Sequence, residues 1–272
     1  MVASELVLHE IDEILAIMEA SIPASPTSPD AEKLAKRTEE LMAAYFTNLE
    51  QAFPYLQLEG IYNKNVKVTE AGPEDETDNI LDPILRMFRA KLLADLMGQH
   101  VIAYLAGSAE MITWGKTKGG KLIAYEGPPI RQAIDYAQKH CAQLVTKMDD
   151  ESKKLIAQIV ADGIENKRGI PGLARDIRKQ FEDMTSTRAK MIAKSETRDA
   201  LFHASQDRME DMGVTGKEWV LGSGGKEGNC PDCKANARAG VISVNEEFPT
   251  PQNEIHPGCT CAIAPVMIKG EK

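Results

Sequence analysis

Residues 229–261 read NCPDCKANARAGVISVNEEFPTPQNEIHPGCTC and hold four of the chain's five cysteines. Their spacing is Cys230-x2-Cys233-x22-His256-x2-Cys259-x-Cys261. The stretch lies in a C-terminal segment whose texture differs from what precedes it. After Gly213 come a β-like KEWVLG, a glycine-rich turn GSGGKEGN, and two short strand candidates, VISV and AIAPV. A unit of about 60 residues buries too little apolar surface to hold itself together and needs a staple.

Two short-spaced ligand pairs brought together by a fold are how a tetrahedral structural zinc site is built. Cys230-Pro-Asp-Cys233 and His256-Pro-Gly-Cys259 each have a turn-forming centre that can aim two donors at one point. The expected ligands are Cys230, Cys233, His256 and Cys259, with Cys261 as the alternative to His256. An ion held by four protein ligands keeps no position open for water, so the expected role is structural rather than catalytic. The N-terminus reads as a poor secretion signal, and in a chain expected to be cytosolic clustered cysteines of this kind favour metal over disulfides.

Other chemistries fit less well. A zinc deaminase needs H-x-E followed by P-C-x-x-C, whereas here the proline is inside the pair and the upstream histidine reads His203-Ala204-Ser205. A dithiol redox pair belongs at a helix start within a βαβ pattern. A metal nuclease needs further histidines or acids, and His256 is the only histidine in the last 60 residues. GKT at 115–117 lacks the glycine of a phosphate-binding loop, since position 110 is Glu110. No G-x-S-x-G frames a nucleophile.

Upstream of the cysteines the periodicity is helical. Leu6, Ile11, Ile14, Leu15 and Met18 form a stripe over residues 4–20, and SIPASPTSPD at 21–30 is a linker whose Ser28 or Asp30 can cap the next helix. A long helix is expected over 31–53, a solvated loop over 54–79, and a helix opened by Asp82 and Pro83 that runs to about Trp114. GKTKGGK at 115–121 is a flexible break. Helices are expected near 130–140, 149–166, 170–182 and 185–212, with Asp149-Asp150-Glu151 at a helix start and Gly169 and Gly213 as C-terminal caps. The expected fold is mainly α, with multi-helix N-terminal and central regions and a small C-terminal zinc-binding β-ribbon. The expected division is an acidic helical interaction region at 1–113, a helical region at 114–212 and a zinc-ribbon-like unit at 213–272.

The 272 residues carry a formal charge of -9, but unevenly. Residues 1–113 hold 19 acidic and 8 basic residues, a net of -11, and residues 114–272 hold 22 acidic and 24 basic, a net of +2. The acidity therefore belongs to the front half and does not argue against DNA contact by the back half. Aromatic residues make up only 5%, too few for base-stacking platforms. No apolar run reaches the ~18–20 residues of a membrane span.

The chain also carries Ala193-Lys194-Ser195-Glu196 on a helix, then Gly213-Val214, Trp219, Cys230-Pro-Asp-Cys233 and His256-Pro-Gly-Cys259-Thr-Cys261. In this order, over residues 125–266, it resembles the phage Mu F-like family of minor head proteins, the head morphogenesis proteins. That family shows an Ala-Arg-Thr-Glu-like helix, a Gly and Trp-containing strand, Cys-x-x-Cys and His-Pro-Asn-Cys-Arg-Cys. Phe202, His203 and Ala204 depart from its usual Asn and Gly, KANARAG replaces its Leu-x-Gly, and HPGCTC lacks its Arg.

The resemblance implies a non-catalytic virion protein of a tailed phage or prophage, made in the host cytoplasm and located at the head interior or portal vertex. The implied partners are portal or major capsid protein, with packaged double-stranded DNA allowed as a third. The acidic helices of 1–113 are expected to supply oligomer or portal contacts, because long amphipathic helices bury their stripes against something. Two other readings stay open: a DNA-binding virion protein acting through residues 114–272, and a metal-dependent nuclease or dithiol redox protein. Among single residues, Glu196 is expected to be an i,i+4 partner or solvated, His203 an exposed histidine, Trp219 the ribbon's core and Cys141 a small buried hydrophobe.

Overall fold

The computed structural model of the chain describes residues 26–60, 63, 73–117, 128–224 and 228–268. It is mainly α-helical with one small antiparallel sheet near the C-terminus. The helices are α1 (Pro29–Ala52), α2 (Pro73–Thr117), α3 (Ile130–Glu165), α4 (Ile170–Asp183) and α5 (Ala189–Asp211). They are followed by β1 (Gly216–Val220), α6 (Pro231–Arg238), β2 (Val241–Ser243) and β3 (Ala262–Val266). No described helix is long and apolar enough to cross a membrane. The helix expected over 4–20, the first half of the 21–30 linker, residues 118–121 of the GKTKGGK break and residues 225–227 of the glycine-rich turn lie outside the described residues.

The structure corrects several helix boundaries, each for a local reason. Ser28 caps α1 as expected, its Oγ accepting the Ala31 N–H at 3.1 Å. α2 opens at Pro73 rather than at Asp82–Pro83, and Pro83 is carried inside it. A proline at the first helical position gives up no hydrogen bond, so Pro73 starts the helix at no cost. The loop expected over 54–79 accordingly contains a 3-10 turn, Tyr55–Gln57, and the first part of α2.

The two helices expected at 130–140 and 149–166 are one, because the buried stripe Ala133, Ala137, Cys141, Val145, Met148, Ser152 and Ile156 continues through the supposed gap. Asp149 is therefore mid-helix and buried, not at a helix start. α4 and α5 are likewise joined without a break, by a single π-helical turn at Met184–Arg188. At the end of α3 the left-handed position is taken by Lys167 (φ 52°), with Arg168 N–H on the Gly163 carbonyl at 2.8 Å, while Gly169 is the N-cap of α4. Gly213 ends α5 as expected: its φ is 62°, its N–H donates to Glu210 O at 3.0 Å, and Val214 N–H donates to Met209 O at 2.9 Å.

The described residues fall into two compact units, each assembled from separated stretches of chain. One draws on Met1–Thr38, Gly98–Ala137 and Met191–Lys272, the other on Glu39–Met97 and Gln138–Lys190. In the second unit, Tyr45 donates to the buried Asp149 carboxylate at 2.5 Å, and Arg89 approaches the same carboxylate at 3.8 Å. Phe53 meets Phe181 edge-on at 5.9 Å, and the Arg178 guanidinium lies 4.1 Å over the Tyr55 ring.

In the first unit, residues 101–108 of α2 are buried on every side. Here α5 comes close: a Cβ on Gly107 would collide with the Leu201 carbonyl oxygen. Tyr104 donates to Asp207 at 2.5 Å, and Arg208 Nε donates to Ser108 Oγ at 3.2 Å. Met111 and Trp114 then pack with Met209, Val214 and Val244, which ties the helices to the sheet. The sheet order is β2-β1-β3, with Glu218 opposite both Val241 and Ala264.

Two outcomes follow. Gly107→Ala forces side-chain volume against backbone and should cost about 1–3 kcal/mol in urea unfolding; a variant as stable as the parent contradicts the close approach. The second concerns Asp149, whose carboxyl burial raises above its ordinary 3.8, against the opposing pull of Tyr45 and Arg89. A raised carboxyl contributes stability below its unfolded value and loses it as pH climbs through the folded one. Asp149→Asn should therefore gain on the parent as pH rises from about 4 to 7, measured as the difference in urea midpoints.

Candidate metal centre

The sheet itself holds little: β2 has three residues and β1 and β3 five each. Its apolar cover is a cluster of Trp219, Phe248, Ile255, Cys233, Cys259 and Cys261, with Phe248 edge-on to Trp219 at 5.3 Å. Trp219 is thus the core residue the sequence implied, and three cysteines are built into the same cluster.

Cys-Pro-Asp-Cys is not a free turn but the start of a helix. Pro231 opens α6 and Cys230 is its N-cap, its Sγ accepting the Cys233 N–H at 3.3 Å. A helix start is also where a redox dithiol sits, so the position of this pair does not by itself exclude one. The surroundings differ from a dithiol's, however: the sheet is antiparallel, and Cys233 Sγ lies 3.5 Å from Cys259 Sγ and 3.9 Å from His256 Nε2.

All five expected donors are brought together. Cys230, Cys233 and His256 form one group with ligand atoms within 4.8 Å of one another, and Cys233, Cys259 and Cys261 form another. Cys233 is common to both, and the arrangement can hold a metal ion. A tetrahedral ion with metal–sulfur bonds of ~2.3 Å puts its sulfurs about 3.8 Å apart, which the contacts at Cys233 match.

The donors are also prepared electrostatically. Backbone N–H groups point at three sulfurs: Cys233 N–H at Cys230, Cys261 N–H at Cys259 (3.4 Å) and Gly222 N–H at Cys261 (3.5 Å). At Cys259 this bond favours the thiolate and opposes the effect of burial. The His256 ring has Nδ1 at 3.0 Å from the Pro257 carbonyl oxygen, which makes Nδ1 the protonated nitrogen and leaves the Nε2 lone pair facing Cys233. A cleft of about 550 Å³ lined by Asn229, Cys230, Lys234, His256, Cys259 and Thr260 gives an ion access from solvent.

No protein-family model, curated protein or solved structure matches the chain. The site has to be argued from its own geometry.

That geometry includes residues that reasoning from the sequence did not assign. Ser195 Oγ accepts the Gly258 N–H at 3.1 Å, and Arg198 Nη1 donates to the His256 carbonyl at 3.4 Å. Glu196 is neither solvated nor an i,i+4 partner: it meets His100 of α2, Nε2 to Oε2, at 3.3 Å, with both side chains largely buried. His203 is exposed as expected and stacks on the Tyr136 ring at 4.8 Å. Cys141 is fully buried and stands apart from the cysteine cluster in sequence. A signal for Ser195 and Arg198 was present, since both fall within or beside the Ala193–Glu196 motif, but a one-dimensional pattern does not say what a polar helix face touches.

Burial pushes the Cys233 and Cys259 thiols up, so both carry protons until a metal displaces them. Metal uptake should therefore release protons, and if two leave, affinity should fall ~100-fold for each unit that pH is lowered. Cobalt(II) titrations followed by the thiolate charge-transfer band measure this directly. A pH-independent affinity is incompatible with thiol ligands.

Proposed function

We propose that the chain is a non-catalytic minor head protein of a tailed phage or prophage, acting at the portal or capsid, and that one zinc ion staples its C-terminal unit. The observation that carries this reading is the contact between the two stretches that bear the family resemblance. The Ala193–Glu196 helix and the His256–Cys261 loop are hydrogen-bonded to each other through Ser195 and Arg198. Motifs far apart in sequence thus belong to one local unit, as members of one pattern would.

Zinc is preferred because the donors are thiols and one imidazole, which are the ligands of tetrahedral zinc. Of the five donors we assign Cys230, Cys233, His256 and Cys259 as the ligands, Cys233 being the one that belongs both with Cys230 and His256 and with Cys259. Asn229 Nδ2 donates to the Gly222 carbonyl at 3.2 Å, which turns its Oδ1 toward Cys261 Sγ at 3.7 Å. An amide oxygen there accepts an S–H bond and repels a metal-bound thiolate, which has no hydrogen to give. Cys261, as a hydrogen-bond donor to Asn229, is accordingly assigned to the wall of the site, and the zinc has four other protein ligands and no place for a reacting water.

The test has two arms. The chain purified under reducing conditions should contain one zinc ion, and Cys261→Ser should retain it while Cys233→Ser should not. Particles banded on a density gradient from a host carrying the gene should contain the chain in few copies by quantitative mass spectrometry. A metal-free native chain sinks the staple, and absence from particles sinks the role.

A further inference from the structure

We infer that Ser195 and Arg198 are outer-sphere supports of the metal loop, so that metal binding and the seating of α5 form one linked equilibrium. This rests on the metal reading above and adds to it a role for residues that donate no ligand atom.

The argument begins with the turn His256-Pro257-Gly258-Cys259, which must present two donors with one geometry. Its polar backbone groups are engaged one after another. The His256 carbonyl accepts from Arg198, the Pro257 carbonyl faces the His256 ring nitrogen, and the Gly258 N–H donates to Ser195. Pro257 has no N–H to place and a fixed φ, and Gly258 takes a φ of 72°, which L side chains rarely adopt. α5 therefore grips the turn on both sides of Pro257, at His256 itself and at the residue before Cys259.

The gripping groups are themselves held. Ser195 Oγ donates its own hydrogen to the Met191 carbonyl at 3.0 Å, so a lone pair is left aimed at Gly258. Arg198 is 3% exposed, and its Nε and Nη2 both donate to Asp199 Oδ1, at 3.0 and 2.7 Å. The carboxylate compensates the buried guanidinium and leaves Nη1 for the His256 carbonyl. Neither side chain can swing to another partner without abandoning one it already has. The loop is thus pre-organised before the ion arrives, and groups that orient ligands in this way typically account for ~10–100-fold in metal affinity.

The experiment uses the full chain loaded with zinc and a chromophoric chelator as competitor. Ser195→Ala and Arg198→Met should each bind zinc ~10–100-fold more weakly at unchanged helical circular dichroism. Ser195→Thr, which keeps the acceptor oxygen, should bind as the native chain does. The cobalt(II) d–d bands should shift in Ser195→Ala, a signature that simple loss of stability does not produce. Because Arg198→Met may not fold, hydrogen exchange on the native chain provides an independent measurement: zinc should slow exchange of the amides of 195–202, and less so in Ser195→Ala. Native zinc affinity in both variants, or exchange at 195–202 that ignores zinc, overturns the inference. A native chain that takes up no zinc fails at the first step and removes the metal reading with it.

Discussion

Everything in the C-terminal unit depends on burying sulfur in one place. Cys233 and Cys259 have their sulfurs 3.5 Å apart, although they are 26 residues apart in sequence, and both belong to the apolar cluster under Trp219. Thiols so placed gain little from each other, and burial discourages either from ionising. A cation reverses that balance: in a low-dielectric setting its attraction for thiolates is strong, and the same burial that penalised the anions excludes the water that would compete. The sheet has only a three-residue strand on one edge, and the long excursion between α6 and β3 is bridged by Asn236, which donates to the Thr250 carbonyl at 2.9 Å and accepts the Thr250 N–H at 2.8 Å. An ion that cross-links the two ends acts on the unfolded chain much as a disulfide would.

α5 links this centre to the rest of its unit because its faces do different work. One face, with Ala193, Ala200, Leu201 and Ala204 buried, lies against α2, where Gly107 admits the Leu201 carbonyl. Another presents Ser195 and Arg198 to the turn that carries His256 and Cys259. Farther along, Gln206 reaches the Val244 carbonyl at 3.0 Å and receives Lys217 Nζ at 3.2 Å, so the helix also pins the sheet. A displacement of α5 cannot leave the metal turn where it is. Helix position and ligand geometry are therefore one constraint expressed at two places.

What could be read in advance follows from how local each signal is. The mainly helical class, the three short strands, the Ser28 cap and the Gly213 cap were legible because periodicity and capping need only neighbouring residues. The five donors were legible because ligand spacing is a local pattern too. Helix continuity was not: Pro83 and the Asp149-Asp150-Glu151 run look like boundaries, and only burial against Tyr45 and the unbroken stripe of α3 overrides them. Lys167 in the left-handed position in place of Gly169 is a similar case, where the six-residue cap bond to Gly163 decides. Pairings such as His100–Glu196 and Arg198–His256 join residues 96 and 58 positions apart, and nothing in a single sequence marks them.

The same reasoning ties the ligand turn to a second stretch of chain. A ligand motif alone specifies donors but not the angle at which they are offered. The turn here is held by a hydroxyl and a guanidinium 63 and 58 residues before the groups they bond, and the guanidinium in turn requires Asp199 to be tolerable in a buried position. Losing Asp199 would leave the buried Arg198 guanidinium without that counter-charge, a penalty larger than the net gain of the bond itself, whereas the Ser195–Gly258 bond is exposed to solvent. The His-Pro-Gly-Cys turn and the Lys-Ser-Glu-Thr-Arg-Asp helix are thereby held to each other by two hydrogen bonds. A sequence that kept the cysteines and altered Ser195 or Arg198 would still own the ligands but would have to order them afresh each time a metal bound.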